Sequence, residues 1–518
     1  MRTLAACRRK EHRTRIFRIN ADLKQTFIKK SAKISVHPRP IWLFSGFSDR
    51  LLVTFALCAV VLMACVRPVA VPKAQQIQFT PIAVAAVGAD GLGDVLFPKL
   101  GNGGYDVEHY AIDLDVDVTR NIISATVTVT ARATQPLAQF NFDFSGLNIR
   151  SIEVNNTPAQ FSRQNTELII QPARPLNQDA LFKTTIRYDG SPSGVDDPSV
   201  DFSKIGWLTQ TGGLYVVSEP SGAMSWFPNN NHPRDKASYT LRVRVPKPYV
   251  AAANGLLREV IDNDNSRTYV WETTQPMASY LATLHINQFE VQTEAGPHGL
   301  PIRNYFPKGT AQSVKDKFSK TNDMIAFMEQ RIAPYPFAAY GVVLLTERVP
   351  WALETQSLST FGAEGADEGV VFHELMHQWY GNSVSPAQWR DIWLNEGFAT
   401  YFQFLWDTRA TGKDALRVAM NEWYDWMEDA RTGPPIPAKP GEMFGSAVYY
   451  RGAYTLFALH MTVGDDAFYK IMRTYYERYK NSNASTEDFI KVAEEISGKP
   501  ARELLSAWLF QRGLPPKI

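Results

Sequence analysis

Two histidines four residues apart, with a glutamate after the first, constrain this chain more than any other stretch: His373-Glu374-Leu375-Met376-His377. On a helix, residues i and i+4 share a face, so both imidazoles can be presented to one metal ion while Glu374 stands beside the open coordination position. The fold must therefore supply a helix here and a further ligand from another element. Zinc suits neutral imidazole and carboxylate oxygen, and a catalytic zinc keeps three protein ligands plus water. Glu396, separated from His377 by eighteen residues in the helical stretch WLNEGFATYF, is the candidate third ligand.

Cysteine offers no competing ligand set. Cys7, Cys58 and Cys65 are the only cysteines of the chain, and all precede residue 66, so a disulfide framework or cysteine metal site downstream is excluded. The composition is that of a folding chain: of 518 residues 45% are apolar, 12% aromatic and only 20% charged, which excludes a disordered tail or a fibrous repeat. At roughly 100 to 200 residues per domain, this length implies two to four domains. The net charge of +2 hides an asymmetry, since residues 1–65 hold 13 Lys+Arg against 3 Asp+Glu. That leaves 41 against 49 downstream, a net of −8, and a body without a basic excess does not bind nucleic acid through its phosphates.

Leu51 to Ala64 carries no charge, follows a basic stretch ending at Arg50 and is too short for an ordinary membrane-spanning helix. It fits the apolar region of a secretory signal, and Leu62-Met63-Ala64-Cys65 resembles the bacterial lipobox, whose cysteine is lipidated. Residues 1–65 are read as a targeting segment. The protein is expected to be exported and held to the membrane through a lipid at Cys65, facing the periplasm or the exterior. Residues 66–100, rich in Pro, Gly, Ala and Val, are read as a linker.

From residue 101 to 305 the pattern is that of a β domain. Ile112, Leu114, Val116 and Val118 alternate with Asp113, Asp115 and Asp117, and Val127, Val129 and Ala131 alternate with threonines, which implies antiparallel sheet with one wet face. The aspartates are read as the solvated side of a strand, since no Gly-centred calcium loop accompanies them. Residues 306–518 read as a mainly helical domain with a short strand at 341–345. Ser485 with Asp488 three residues on is a capping arrangement for a late helix.

The stretch HELMHQWYGNSVSPAQWRDIWLNEGFATYF closely resembles the zinc signature of the M1 aminopeptidases, gluzincins whose third ligand is a glutamate at this spacing. GNGGYDVEHYAIDLDVD, SWFPNNNHPRDKASYTLRVRVPKPY and STEDFIKVAEEISGKPARELLSAWLFQRGLP resemble other segments of that family, for a coverage of about residues 95–516. The resemblance implies a multidomain α+β protein: an N-terminal antiparallel β-sheet domain, then a mainly helical thermolysin-like zinc metallopeptidase domain with a small sheet. It implies one zinc per chain on His373, His377 and Glu396, Glu374 as general base, and Tyr449 in VYYRGAYTL as donor to the oxyanion. Tyr450 competes for that role, and Arg451 stands where the family's Tyr-x-Lys-Gly pattern has lysine.

For recognition of a free α-amino group the resemblance points to Glu354 in WALETQ and Glu219 in VVSEPSGA. Trp351 and Thr355 replace the glycine and asparagine of the family's Gly-x-Met-Glu-Asn motif. His232 is read as structural, and Asn395 and Thr400 as groups behind the zinc ligands. Many family members continue into a helical C-terminal domain, so a chain ending at Ile518 is expected to have a more open cleft. The leading reading is a zinc aminopeptidase acting on peptides with a free N-terminus. The alternatives are a gluzincin endopeptidase and a non-catalytic binding lipoprotein that retains the fold. Both amine-binding glutamates argue against the first, and Glu374 against the second.

Overall fold

The computed structural model describes residues 86–518, apart from the side chains of Asp201 and Phe202. The targeting segment with Cys65 and the first part of the expected linker lie outside the described residues. No helix among those described is long and apolar enough to cross a membrane.

Ile112, Leu114 and Val116 are buried while Asp113 and Asp115 face outward, as period two requires. Their strand, Tyr105–Asp117, lies inside an eight-stranded sheet and pairs antiparallel with Ile122–Ala133. The outward aspartates meet arginines: Arg244 Nη1 lies 2.8 Å from Asp115, Arg242 3.7 Å from Asp113 and Arg120 2.7 Å from Asp117. One junction departs from the antiparallel expectation, since Lys236–Pro246 runs parallel to Tyr105–Asp117. The cause is connectivity. Before returning, the chain builds three strands of a second, five-stranded sheet, Val195–Asp197, Val200–Gln210 and Gly213–Val217, and so long a crossover permits parallel neighbours.

Residues 86–100, read as the end of a linker, pack against the body. Ala86–Val87 pairs with Leu137–Asp143, and Leu96, Phe97 and Leu100 are buried. The anchor is Asp94, 1% exposed. Its Oδ1 accepts the Leu96 and Phe97 N–H groups, while Oδ2 accepts the Trp389 N–H at 2.7 Å and lies 3.1 Å from His232 Nε2. Composition does not separate such a strap from a tether, because the deciding partners lie 138 and 295 residues away. His232 is accordingly structural: burial lowers its pKa, against the pull of Asp94.

The second part opens earlier than residue 306. Pro301–Pro307 pairs parallel with Tyr340–Leu344, in a five-stranded sheet that also holds Phe289–Ala295, Ser359–Phe361 and Ala352–Leu353. A division at 305 falls inside one of its strands. Among the described residues seven helices have nine residues or more: α1 (Thr321–Arg331), α2 (Glu368–Met376), α3 (Trp393–Asp407), α4 (Lys413–Asp429), α5 (Gly452–Tyr479), α6 (Thr486–Ser497) and α7 (Lys499–Phe510). Gly464, at φ 78°, breaks α5. α6 opens as its sequence implies, with Ser485 Oγ accepting the Asp488 N–H at 3.3 Å and the Asp488 carboxylate accepting the Ser485 N–H at 3.0 Å.

The β part and the helical part are bonded to each other beside the site. Lys236 Nζ donates to the carbonyls of Asn382 and Ser383, both at 2.9 Å, and Asn254 Nδ2 donates to the Gln356 carbonyl at 2.6 Å.

Candidate active site

α2 starts at Asp367, whose side chain accepts the Val370 N–H at 3.0 Å, and runs through His373 to His377 at its C-terminal end. The four-residue spacing brings the two imidazoles to a centroid separation of 4.8 Å. α3 delivers Glu396, whose Oε2 lies 3.2 Å from His373 Nε2 and 3.6 Å from His377 Nε2. One nitrogen from each histidine and a Glu396 oxygen lie within 4.8 Å of one another, and all three residues are buried. Two imidazoles and one carboxylate form the donor set of a catalytic zinc, so these residues fit that ion. Behind the histidines, His377 Nδ1 faces the Tyr380 carbonyl at 3.3 Å, and the Gln403 side chain bonds to His373. Gly381, at φ 130°, lets the chain turn there, since a Cβ would stand 3.2 Å from His377 Nδ1.

Glu354 and Glu219 arrive from elsewhere and meet at this place. Glu354 follows the short strand Ala352–Leu353, and Glu219 follows Gly213–Val217 of the β part. Carboxylate oxygens of Glu219, Glu354 and Glu396 lie within 4.8 Å of one another, as do ligand atoms of Glu354, Glu374 and His377. The Glu354 loop is held by two residues that the sequence reading did not single out. Gln378 Nε2 and Asn382 Nδ2 donate to the Glu354 carbonyl at 3.1 and 2.6 Å, and Gln378 Oε1 accepts the Ser357 N–H at 2.8 Å. Both lie in the stretch after His377, but nothing local marks them as partners of a carbonyl 24 and 28 residues upstream. Thr355 turns inward to Thr360 Oγ1 at 3.1 Å, and Trp351 packs near Tyr215, so the altered motif still presents Glu354.

Tyr449, not Tyr450, faces the site. Its ring lies 6.2 Å from that of His373, whereas Tyr450 stacks on Trp423 at 3.8 Å. Tyr449 sits on the π-helical turn Ala447–Arg451 that leads into α5. The approach of that turn to α3 depends on two glycines, because a Cβ on Gly397 would lie 2.8 Å from the Gly452 backbone. Arg451, fully buried, donates to backbone carbonyls that include Trp508 at 2.8 Å and Gln511 at 2.6 Å, tying the turn to the end of α7.

Burial disfavours every charge in this site, and the neighbours decide which survive. Glu396 is held down to about 2 against its burial by His377 and His373. Burial also opposes the charged form of His377, but Glu354, Glu396 and Glu374 raise its pKa to about 10. Glu219, Glu354 and Glu374 are pushed up by burial; the Glu396 charge adds to each rise, and His377 pulls against it at Glu354 and Glu374. The Tyr449 phenol is pushed up by burial and then by the same carboxylates, so it keeps its proton. Four carboxyl groups gathered out of water call for cations, and Oε1 of both Glu219 and Glu354 lacks a hydrogen-bond partner.

Known proteins share this fold. A family model described as the peptidase family M1 domain matches residues 317–508, and the peptidase M1 N-terminal domain matches 106–281. The structure superposes on an M1 zinc metallopeptidase from Deinococcus radiodurans with a TM-score of 0.77 at 31% identity, covering 82% of this chain and 98% of that one. A variant of that protein bound to a Tyr-Ser-Ala substrate matches equally, at 82% and 99% coverage. Aminopeptidase M1-A of Oryza sativa subsp. japonica is 29% identical over 78% of this chain and 50% of its own length. Glutamyl aminopeptidase of Sus scrofa is 25% identical over 79% and 47%. The chain thus spans about half the length of these curated relatives.

Proposed function

The chain belongs to peptidase family M1, and from that premise we propose that it is a zinc-dependent aminopeptidase hydrolysing the N-terminal peptide bond of peptides. The observation that carries this reading is the meeting of two kinds of group in one buried place. His373, His377 and Glu396 are a ligand set for zinc, and Glu219 and Glu354 stand beside it with unpartnered oxygens suited to an ammonium.

Zinc, when bound, supplies Lewis acidity that polarises the scissile carbonyl and brings the pKa of water toward neutrality. Glu374 then acts as general base, taking the proton of the attacking water and returning it to the leaving amine. Tyr449 donates its phenolic hydrogen to the carbonyl oxygen as negative charge develops there. Glu219 and Glu354 accept hydrogen bonds from the substrate's α-ammonium, which fixes the first peptide bond of the substrate at the metal.

Glu354→Gln tests the exopeptidase assignment. On free peptides it should lower kcat/KM by about 1.5–3 kcal/mol, the range for a hydrogen bond to a charged group. N-acetylation should harm the wild type comparably and the variant much less, because charge and carboxylate act on each other. Wild-type cleavage of acetylated peptides as fast as free ones would instead identify an endopeptidase.

We propose further that the enzyme is exported and lipid-anchored at Cys65, a reading supported by the uncharged stretch Leu51 to Ala64 before it. Cys65→Ser should abolish lipid labelling and membrane association while peptidase activity persists. Unchanged labelling removes the anchor from the account.

A further inference from the structure

A second group of carboxyls is buried in the β part, away from the site described above. Asp143 at the end of Leu137–Asp143 is the direct cross-strand partner of Glu167 at the start of Glu167–Gln171. Like charges directly opposite on neighbouring strands destabilise a sheet. Among the described residues no lysine, arginine or histidine forms a hydrogen bond or ion pair with either carboxyl; Asp143 Oδ2 accepts the Asn231 N–H at 3.0 Å and Asn102 Nδ2 at 3.1 Å, and the Gly101 backbone N–H also reaches the carboxyl.

Other oxygens are left open. Neither Oδ1 of Asn102 nor Oδ1 of Asn141 has a hydrogen-bond partner, and the Glu167 carboxyl meets no cation, only side-chain amides. Asn102, Asn141 and Asp143 are 0%, 5% and 0% exposed. Asn141 precedes Asp143 by two residues on one strand and so shares its face, and the side-chain amides of Asn141 and Asn102 both reach the Glu167 carboxyl. Unsatisfied buried polar atoms cost about 1–3 kcal/mol each, so two open amide oxygens beside two uncompensated carboxyls call for a ligand that only accepts electron pairs.

We propose that Asp143, Glu167, Asn102 and Asn141 hold a divalent cation of the calcium type. The donors are all oxygen, with neither imidazole nor thiolate, which selects a hard ion over zinc. Two carboxylates balance its charge, and amide carbonyls are ordinary calcium ligands, whereas magnesium keeps most of its waters. Glu167 is only partly buried, which leaves the ion a way in. Burial, and for Glu167 also the charge of Asp143, raises the two carboxyls to about 7 and about 8 in the ion-free chain, so binding releases protons. The ion fastens more than the sheet. Asn231, whose N–H is bound by Asp143, donates through Nδ2 to the Ser221 carbonyl at 2.7 Å, two residues beyond Glu219.

The test uses the full chain, zinc-loaded so that the catalytic ligands are occupied, and freed of weakly held ions on a chelating resin. Calcium chloride alone is the probe. Equilibrium dialysis should count one calcium per chain, and the calorimetric midpoint should rise by several degrees at calcium about a hundredfold above its Kd. Glu167→Gln, which relieves the repulsion and therefore folds, should bind no calcium and lose the thermal response while its zinc content stays unchanged. If the wild type binds no calcium and its midpoint stays flat, the two acids share a proton and the proposal is wrong. Wild-type stoichiometry in Glu167→Gln overturns it as well, by placing the ion elsewhere.

Discussion

The two halves of the active site solve opposite electrostatic problems. In the metal half, two imidazoles stand against Glu396, and that carboxylate is held to about 2. In the ammonium half the compensation is weaker: burial and neighbouring carboxylates push Glu219 up, burial pushes Glu354 up against the pull of His377, and one oxygen of each is unpartnered. The metal half is built on two helices, where ligand spacing is a property of the helix itself. The ammonium half sits on segments that follow short strands, and its geometry depends on Gln378 and Asn382 reaching across. The difference teaches that charge compensation is complete inside the first half, whereas in the second it is partial and the remainder must come with the substrate.

The sharpest way to break this comparison is to remove a metal ligand. Glu396→Ala should lose zinc and activity together, by roughly a thousandfold or more, and metal analysis alongside kinetics checks both. Chelation of the wild type should reproduce that loss, with zinc restoring it. An active, zinc-free enzyme would dissolve the distinction between the halves.

Glu374→Gln probes a residue that belongs to neither half. It should keep its zinc while turnover falls by roughly two to four orders of magnitude, the range for lost acid–base assistance. Loss of zinc in this variant would move Glu374 into the metal half.

Glu219→Gln produces the smallest effect and tests the ammonium half from the stability side. The Glu219 carboxyl is raised by burial, then by Glu354, Glu396 and Glu374, so the folded chain holds that proton to higher pH than the unfolded chain. Its contribution to stability therefore declines as pH climbs above the ordinary carboxyl range near about 4.3. Glutamine does not titrate. In the metal-free protein Glu219→Gln should melt higher than wild type at pH 7.5, by about 1 kcal/mol, with the gap closing toward pH 5. A variant less stable at pH 7.5 would mean that Glu219 is compensated after all.

Legibility followed the range of the interactions. The alternation of Ile112, Leu114 and Val116 with aspartates was readable as a half-wet strand because one strand's period states it. The parallel docking of Lys236–Pro246 was not, since neighbour direction is set by where the intervening chain goes. Residues 86–100 show the same limit: their composition suggested a linker, and only the distant partners of Asp94 make them a strap. The choice between Tyr449 and Tyr450 turned on a π-helical turn and on contact between Gly397 and Gly452, neither of which helical periodicity contains.

By itself the sequence determined the histidine pair on one helical face, Glu374 beside it, Glu396 in the next helical stretch, and the capped start of α6. Each rests on spacing within one helix or between neighbouring ones, where backbone geometry alone relates position to direction. Tertiary structure alone decided that Glu219, from a strand end in the β part, and Glu354, from a loop held by Gln378 and Asn382, meet Glu396 within 4.8 Å. It also decided that Asp143 and Glu167 share one buried place. Such meetings depend on register and packing between segments far apart in the chain, and no local pattern encodes which segments will touch.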